Sequence, residues 1–140
     1  MLLDTTAAFY APIRKELARV EENLQNLGKT EIAPLGDLLE HVLSAPGKRI
    51  RPALTLLASG FHTGSPESVI LMATAIELLH IATLIHDDTV DNAAVRRGRA
   101  TLSSIWGPQT AVLVGDYAFA ASAALVCDTS NTRIIRRFSE

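Results

Sequence analysis

Three carboxylates that end an apolar run constrain this chain more than any other feature. Asp87, Asp88 and Asp91 stand at i, i+1 and i+4, directly after the strongly apolar segment from Ser68 to Ile85. An apolar segment of that length must be buried, yet its end carries three groups that resist burial unless something positive accompanies them. On a helix, Asp87 and Asp91 lie about 40° apart around the axis and roughly 6 Å apart along it. That spacing makes an acceptor-only pocket suited to a hard divalent cation, Mg2+ above all, with phosphate oxygens completing its ligand shell. Arg96 and Arg97 follow closely, and guanidinium forks match phosphate as well as they match carboxylate. His80 lies seven residues before Asp87, on the same helical face two turns away. A solvated helix end would explain carboxylates and arginines standing alone, but not carboxylates that share a stripe with a histidine on an apolar helix.

A second cationic cluster, Lys48, Arg49 and Arg51, sits between Gly47 and Pro52. Pro46 and Gly47 break the preceding helix, and Pro52 is tolerated in the first turn of the next. The three cations therefore stand where free N–H groups and a helix dipole already favour an anion. The spacing is not that of a Walker phosphate loop. Two cationic clusters and one carboxylate cluster imply two phosphorylated groups held face to face.

The periodicity predicts helix almost throughout: Thr5 to Leu27, Pro34 to about Ser44, Pro52 to Phe61, Pro66 to about Asp91, Leu102 to Trp106, Gln109 to Cys127 and Asn131 to Phe138. Asn92 to Gly98 reads as a loop, and no strand alternation or Asn-Gly hairpin signal is present. One all-α domain is expected. A net charge of −2 leaves no electrostatic footprint for nucleic acid. Cys127 is the only cysteine, which excludes an intrachain disulfide and fits a reducing, cytoplasmic setting. No uninterrupted apolar run of about 18 residues is present, so no transmembrane segment is expected. The N-terminus has no secretory-signal pattern.

The ordered segments Gly47-Lys48-Arg49-Ile50-Arg51-Pro52, Glu77 to His80, Leu84 to Asp91, Arg96 to Thr101 and Val114-Gly115-Asp116-Tyr117 resemble the all-trans polyprenyl diphosphate synthases. The resemblance runs from about residue 35 onward. It implies the N-terminal half of an isoprenoid-synthase-type helical bundle, a partial fold over residues 1–140. It implies further that Lys48, Arg51 and His80 bind the diphosphate of isopentenyl diphosphate, with Arg49 in the same cluster. Asp87 and Asp91 match Mg2+ ligands and Asp88 supports them, the three forming the catalytic aspartate motif. Arg96 matches a contact to the allylic diphosphate, and Arg97 one to isopentenyl diphosphate. The implied chemistry is head-to-tail condensation of isopentenyl diphosphate with an allylic prenyl diphosphate, by a prenyltransferase of isoprenoid biosynthesis; a half-bundle also leaves apolar helix faces uncovered, so a homo-oligomer is expected.

Family members carry a second aspartate-rich motif and a lysine in their second half, and nothing after Asp128 resembles either. The chain stops in the helical segment Arg133 to Glu140, so alone it is expected not to complete the reaction. Small residues at Ala82 and Thr83, just before the motif, imply an open floor for the growing product and a chain of C20 or longer. Close helix packing is the other use for small residues there. A non-catalytic partner or regulatory subunit that binds isoprenoid diphosphates is an alternative reading. A class I terpene cyclase, or a squalene- or phytoene-type enzyme, fits less well, because none of them gives the Gly47 to Pro52 cluster a task.

Overall fold

The computed structural model describes residues 8–30 and 32–140, and the expected helix start at Thr5 lies outside them. Among the described residues, seven α-helices follow a 3-10 turn, Ala11–Ile13. They are α1 (Arg14–Gly28), α2 (Leu35–Leu43), α3 (Ile50–Ser59), α4 (Pro66–Val90), α5 (Leu102–Trp106), α6 (Pro108–Asp128) and α7 (Thr132–Ser139). The chain is mostly helical, as the periodicity predicts.

Helix α4 is the axis of the bundle. Its start is set by Ser65, whose hydroxyl accepts from the Ser68 amide, and by Pro66 at the first helical position. Its 25 residues extend about 38 Å. Apolar side chains surround it, and α1, α3 and α6 all pack against it. The closest partner is α6, which runs back along it and buries Ala111, Gly115, Ala118 and Ser122. Small side chains at that three- and four-residue spacing bring two helix backbones near one another. Leu24, Leu39, Ile70, Leu78 and Val126 are fully enclosed in the resulting core.

By length and composition, α4 and α6 are apolar enough to cross a membrane, whereas the sequence reading expected no such segment. Their apolarity has a use within the bundle, since each buries a face against the other. Ion-forming side chains Glu77, Asp88 and Asp116 stand along them.

The structure departs from the sequence reading between Asn92 and Thr101. A two-stranded antiparallel hairpin forms there, β1 (Val95–Arg96) against β2 (Arg99–Ala100), pairing Val95 with Ala100 and Arg96 with Arg99. Its two-residue loop is Arg97-Gly98, with φ of 50° and 78°. A turn with two positive φ values matches the strand twist. Glycine supplies one such residue freely, and Arg97 adopts the other. Helix α3 likewise starts at Ile50 rather than Pro52, because Pro52 fits in the first turn and Arg49 precedes it in a left-handed conformation.

Candidate functional site

A cavity of about 650 Å³ opens between the α2–α3 loop, the second half of α4 and the hairpin. Lys48 and Arg49 come from the loop, Arg51 from the first turn of α3, His80 and Asp88 from α4, and Arg96, Arg97 and Arg99 from the hairpin. Ile81, Leu84 and Ile85 give its α4 wall an apolar base. The two cationic clusters of the sequence thus form one surface. Their joint is made by the backbone: Arg97 Nη1 donates to the Pro46 carbonyl at 3.2 Å, and His41 Nε2 lies 2.9 Å from the Ala100 carbonyl. Tyr10 donates its hydroxyl to the Lys48 carbonyl and steadies the loop from the other side.

Among the described residues, neither Lys48 nor Arg51 has a carboxylate in ion-pair range, so both face the cavity with their charge uncompensated. Helix α3 begins here with no side-chain cap, which leaves its first N–H groups open to an anion. His80 titrates below the ordinary histidine range. Burial is the main cause, and Arg51, Arg97 and Arg96 add to it against the opposing charge of Glu77. Cations gathered around an imidazole favour its neutral form. An arriving anion reverses the balance.

The carboxylates divide. Asp88 is 7% exposed and lines the cavity, where its carboxylate accepts from Arg96 Nε at 2.7 Å. It thereby aims the Arg96 guanidinium. Asp87 and Asp91 are solvent-exposed on the adjoining stripe of α4, in line with Thr83 one turn before Asp87. His80 stands two turns before Asp87 on the same side of α4, and it lines the cavity together with Asp88. As metal ligands, Asp87 and Asp91 supply hard oxygen donors one turn apart at the helix end. Among the described residues no third acidic, histidine or cysteine side chain joins them. That donor set fits a Mg2+ ion whose other ligands are phosphate oxygens and water.

Arg49 and Ala82 take places different from those expected. Arg49 reaches the cavity wall, but its guanidinium turns inward to Glu21 and Glu77 instead of outward to a ligand. Ala82 is 1% exposed in the core that includes Ala111, Val114 and Ala118 of α6. Only Thr83, 100° further round, faces outward. Ala82 therefore serves close helix packing, and a floor built from these two positions reduces to Thr83.

Sequence reasoning assigned no role to Glu77, Arg99, His86 or Gly115. His86 Nε2 lies 3.3 Å from Asp116 Oδ1, and its ring occupies the space where a Cβ on Gly115 would stand, 2.3 Å away. Glu77 had a visible signal: a buried acid one turn before His80 in an apolar segment needs a cation.

The sequence model of the polyprenyl synthetase family matches residues 33–140. Heptaprenyl diphosphate synthase component 2 of Geobacillus stearothermophilus is 42% identical over 90% of this chain and 39% of its own length. A decaprenyl diphosphate synthase from Rhodobacter capsulatus superposes with a TM-score of 0.85 at 36% identity, over 94% of this chain and 41% of that one. A polyprenyl synthase from Caulobacter crescentus, complexed with calcium and isoprenyl diphosphate, also gives 0.85, at 32% identity over 91% of this chain and 39% of that one. The chain spans about two-fifths of the length of these relatives.

Proposed function

This chain belongs to the polyprenyl synthetase family, and on that premise we propose that it forms the isopentenyl diphosphate site and one metal-binding wall of an all-trans polyprenyl diphosphate synthase. The observation that carries the reading is the convergence of Lys48, Arg51, His80 and Arg97 on one cavity, next to the Asp88–Arg96 pair. Lys48, Arg51 and Arg97 hold the diphosphate of isopentenyl diphosphate, and His80 becomes a donor to it on protonation. Asp87 and Asp91 would hold Mg2+ for the allylic diphosphate, and Asp88 orients Arg96 beside them.

When bound, Mg2+ supplies charge neutralisation for the departing diphosphate. The allylic carbon–oxygen bond breaks, and the diphosphate leaves with the electron pair. The alkene of isopentenyl diphosphate forms the new carbon–carbon bond, and a proton is lost to restore a double bond. Preplaced guanidiniums lower the cost of the charge that develops. Ile81, Leu84 and Ile85 keep water from the reacting carbons.

Two of the relatives just described are named for products of seven and ten isoprene units. That supports a product of C20 or longer, as does the absence of a bulky side chain at Thr83, on the stripe that leads away from Asp87. The test of function uses Asp87→Ala and Asp91→Ala in the intact protein. Both are expected to lose Mg2+-dependent binding of an allylic diphosphate and at least 100-fold in condensation, with melting temperature unchanged because the side chains are exposed. Near-normal turnover in either variant refutes the assignment.

A further inference from the structure

The loop that carries Lys48 holds, on the cavity wall, a cation whose guanidinium turns away toward two carboxylates. Arg49 has a φ of 49°, a left-handed conformation that non-glycine residues rarely adopt. Its guanidinium is only 12% exposed and bridges two helices. Nη1 donates to Glu77 Oε1 of α4 at 3.1 Å, Nη2 to Glu21 Oε2 of α1 at 3.3 Å, and Nε to the other oxygen of Glu21. Nη2 also donates to the Leu43 carbonyl at 3.3 Å, which ties the end of α2 to the same fork. Burial works against the charge, and the two carboxylates outweigh it, so Arg49 remains cationic. Gly47 takes part through its lack of a side chain: a Cβ there would stand 3.2 Å from Arg49 Nη1 and 3.4 Å from Arg97 Nη1.

Glu77 is the reason that this matters to an anion. It is 6% exposed, lines the cavity and lies one turn from His80 on α4. An uncompensated carboxylate at that point would oppose a diphosphate and draw on the cations meant for it. We propose that Arg49 is a positioning residue for the diphosphate pocket: its fork between Glu21 and Glu77 fixes the left-handed turn that presents Lys48 and Arg51, and it cancels the Glu77 charge on the pocket wall. The inference rests on the diphosphate-site reading above. It gives Arg49 the role of counter-ion rather than ligand.

The test compares Arg49→Met, Glu77→Gln and the double variant in the intact protein. Inorganic diphosphate binding is measured by calorimetry, and the His80 imidazole is titrated by NMR without ligand. Arg49→Met is expected to weaken diphosphate binding at least tenfold and to raise the His80 midpoint, because Glu77 is left unscreened. The double variant should recover most of both, a rescue that a merely structural role does not give. Glu77→Gln alone keeps the hydrogen bond to Arg49 and should bind at least as tightly as the wild type, which keeps the proposal testable if Arg49→Met does not fold. A double variant no better than Arg49→Met, or a tenfold loss in Glu77→Gln, overturns it. Wild-type protein that binds no diphosphate overturns the site reading instead, and the His80 titration still reports whether Arg49 screens Glu77.

Discussion

At the scale of single residues, His80 converts the charge of the pocket into a pH dependence. Its folded-state pKa is lowered, chiefly by burial and then by the neighbouring arginines. The unfolded chain therefore binds that proton more tightly, so the stability that His80 contributes is full above about pH 6.5 and is lost as pH falls through that value toward the folded pKa. A bound diphosphate favours the protonated imidazole and opposes this loss. Melting curves from pH 8 to pH 5 should therefore show a ligand-induced gain that grows toward acid, and His80→Gln should flatten that trend. The three aspartates separate at the same scale. Asp88→Ala leaves Arg96 without its partner and removes a buried hydrogen-bonded ion pair, so it should lower stability by about 1–3 kcal/mol in a denaturant titration. Asp87→Ala and Asp91→Ala should leave the transition where it was.

Among the elements, α4 shows how position on a helix decides what a substitution does. Ala82→Phe forces a ring into the packed face against α6 and should cost about 1–3 kcal/mol or more. Thr83→Phe, on the outward stripe, should preserve the melting temperature and shorten the product, as read by chromatography of the extracted prenyl chains. Equal products from wild type and Thr83→Phe would remove the floor from α4. Gly115→Ala places a methyl group inside the His86 ring position and should lower the melting temperature by several degrees, since about 1 kcal/mol moves it by 2–8 °C in domains of this size. The same helix explains what the sequence made legible. Helix existence followed from apolar spacing and from the breakers Gly28, Pro46-Gly47 and Gly107-Pro108, which act locally. The face of α4 on which each residue falls did not follow, because its apolar residues run all round and give no stripe to read. Ala82 and Thr83 are adjacent in sequence yet point 100° apart on the helix. The hairpin was missed because Arg97-Gly98 relies on an arginine in a left-handed conformation, which local propensity disfavours. Nothing local marks Arg49 as a counter-ion, because its partners Glu21 and Glu77 lie 28 residues away in either direction.

Across the whole molecule, apolar surface is left uncovered on α6 and around it. Leu113 and Phe119 are more than half exposed, with Val112, Ile105 and Trp106 close behind. A face of that kind drives association. The chain is expected to form dimers or larger species in light scattering and to bind an apolar dye when diluted, and a monodisperse monomer without dye binding would contradict this. The joint between loop and hairpin has a further consequence, for the order of folding. Its contacts, Arg97 to Pro46, Arg99 to Ser44 and His41 to Ala100, span 51, 55 and 59 residues. Each closes a long stretch of chain, and that entropy is lost before the contact returns anything. Neither the loop nor the hairpin makes the cavity alone, so helices form early and the anion pocket closes late, after the rate-limiting barrier. Diphosphate added to the protein should therefore slow its unfolding and leave its refolding rate unchanged.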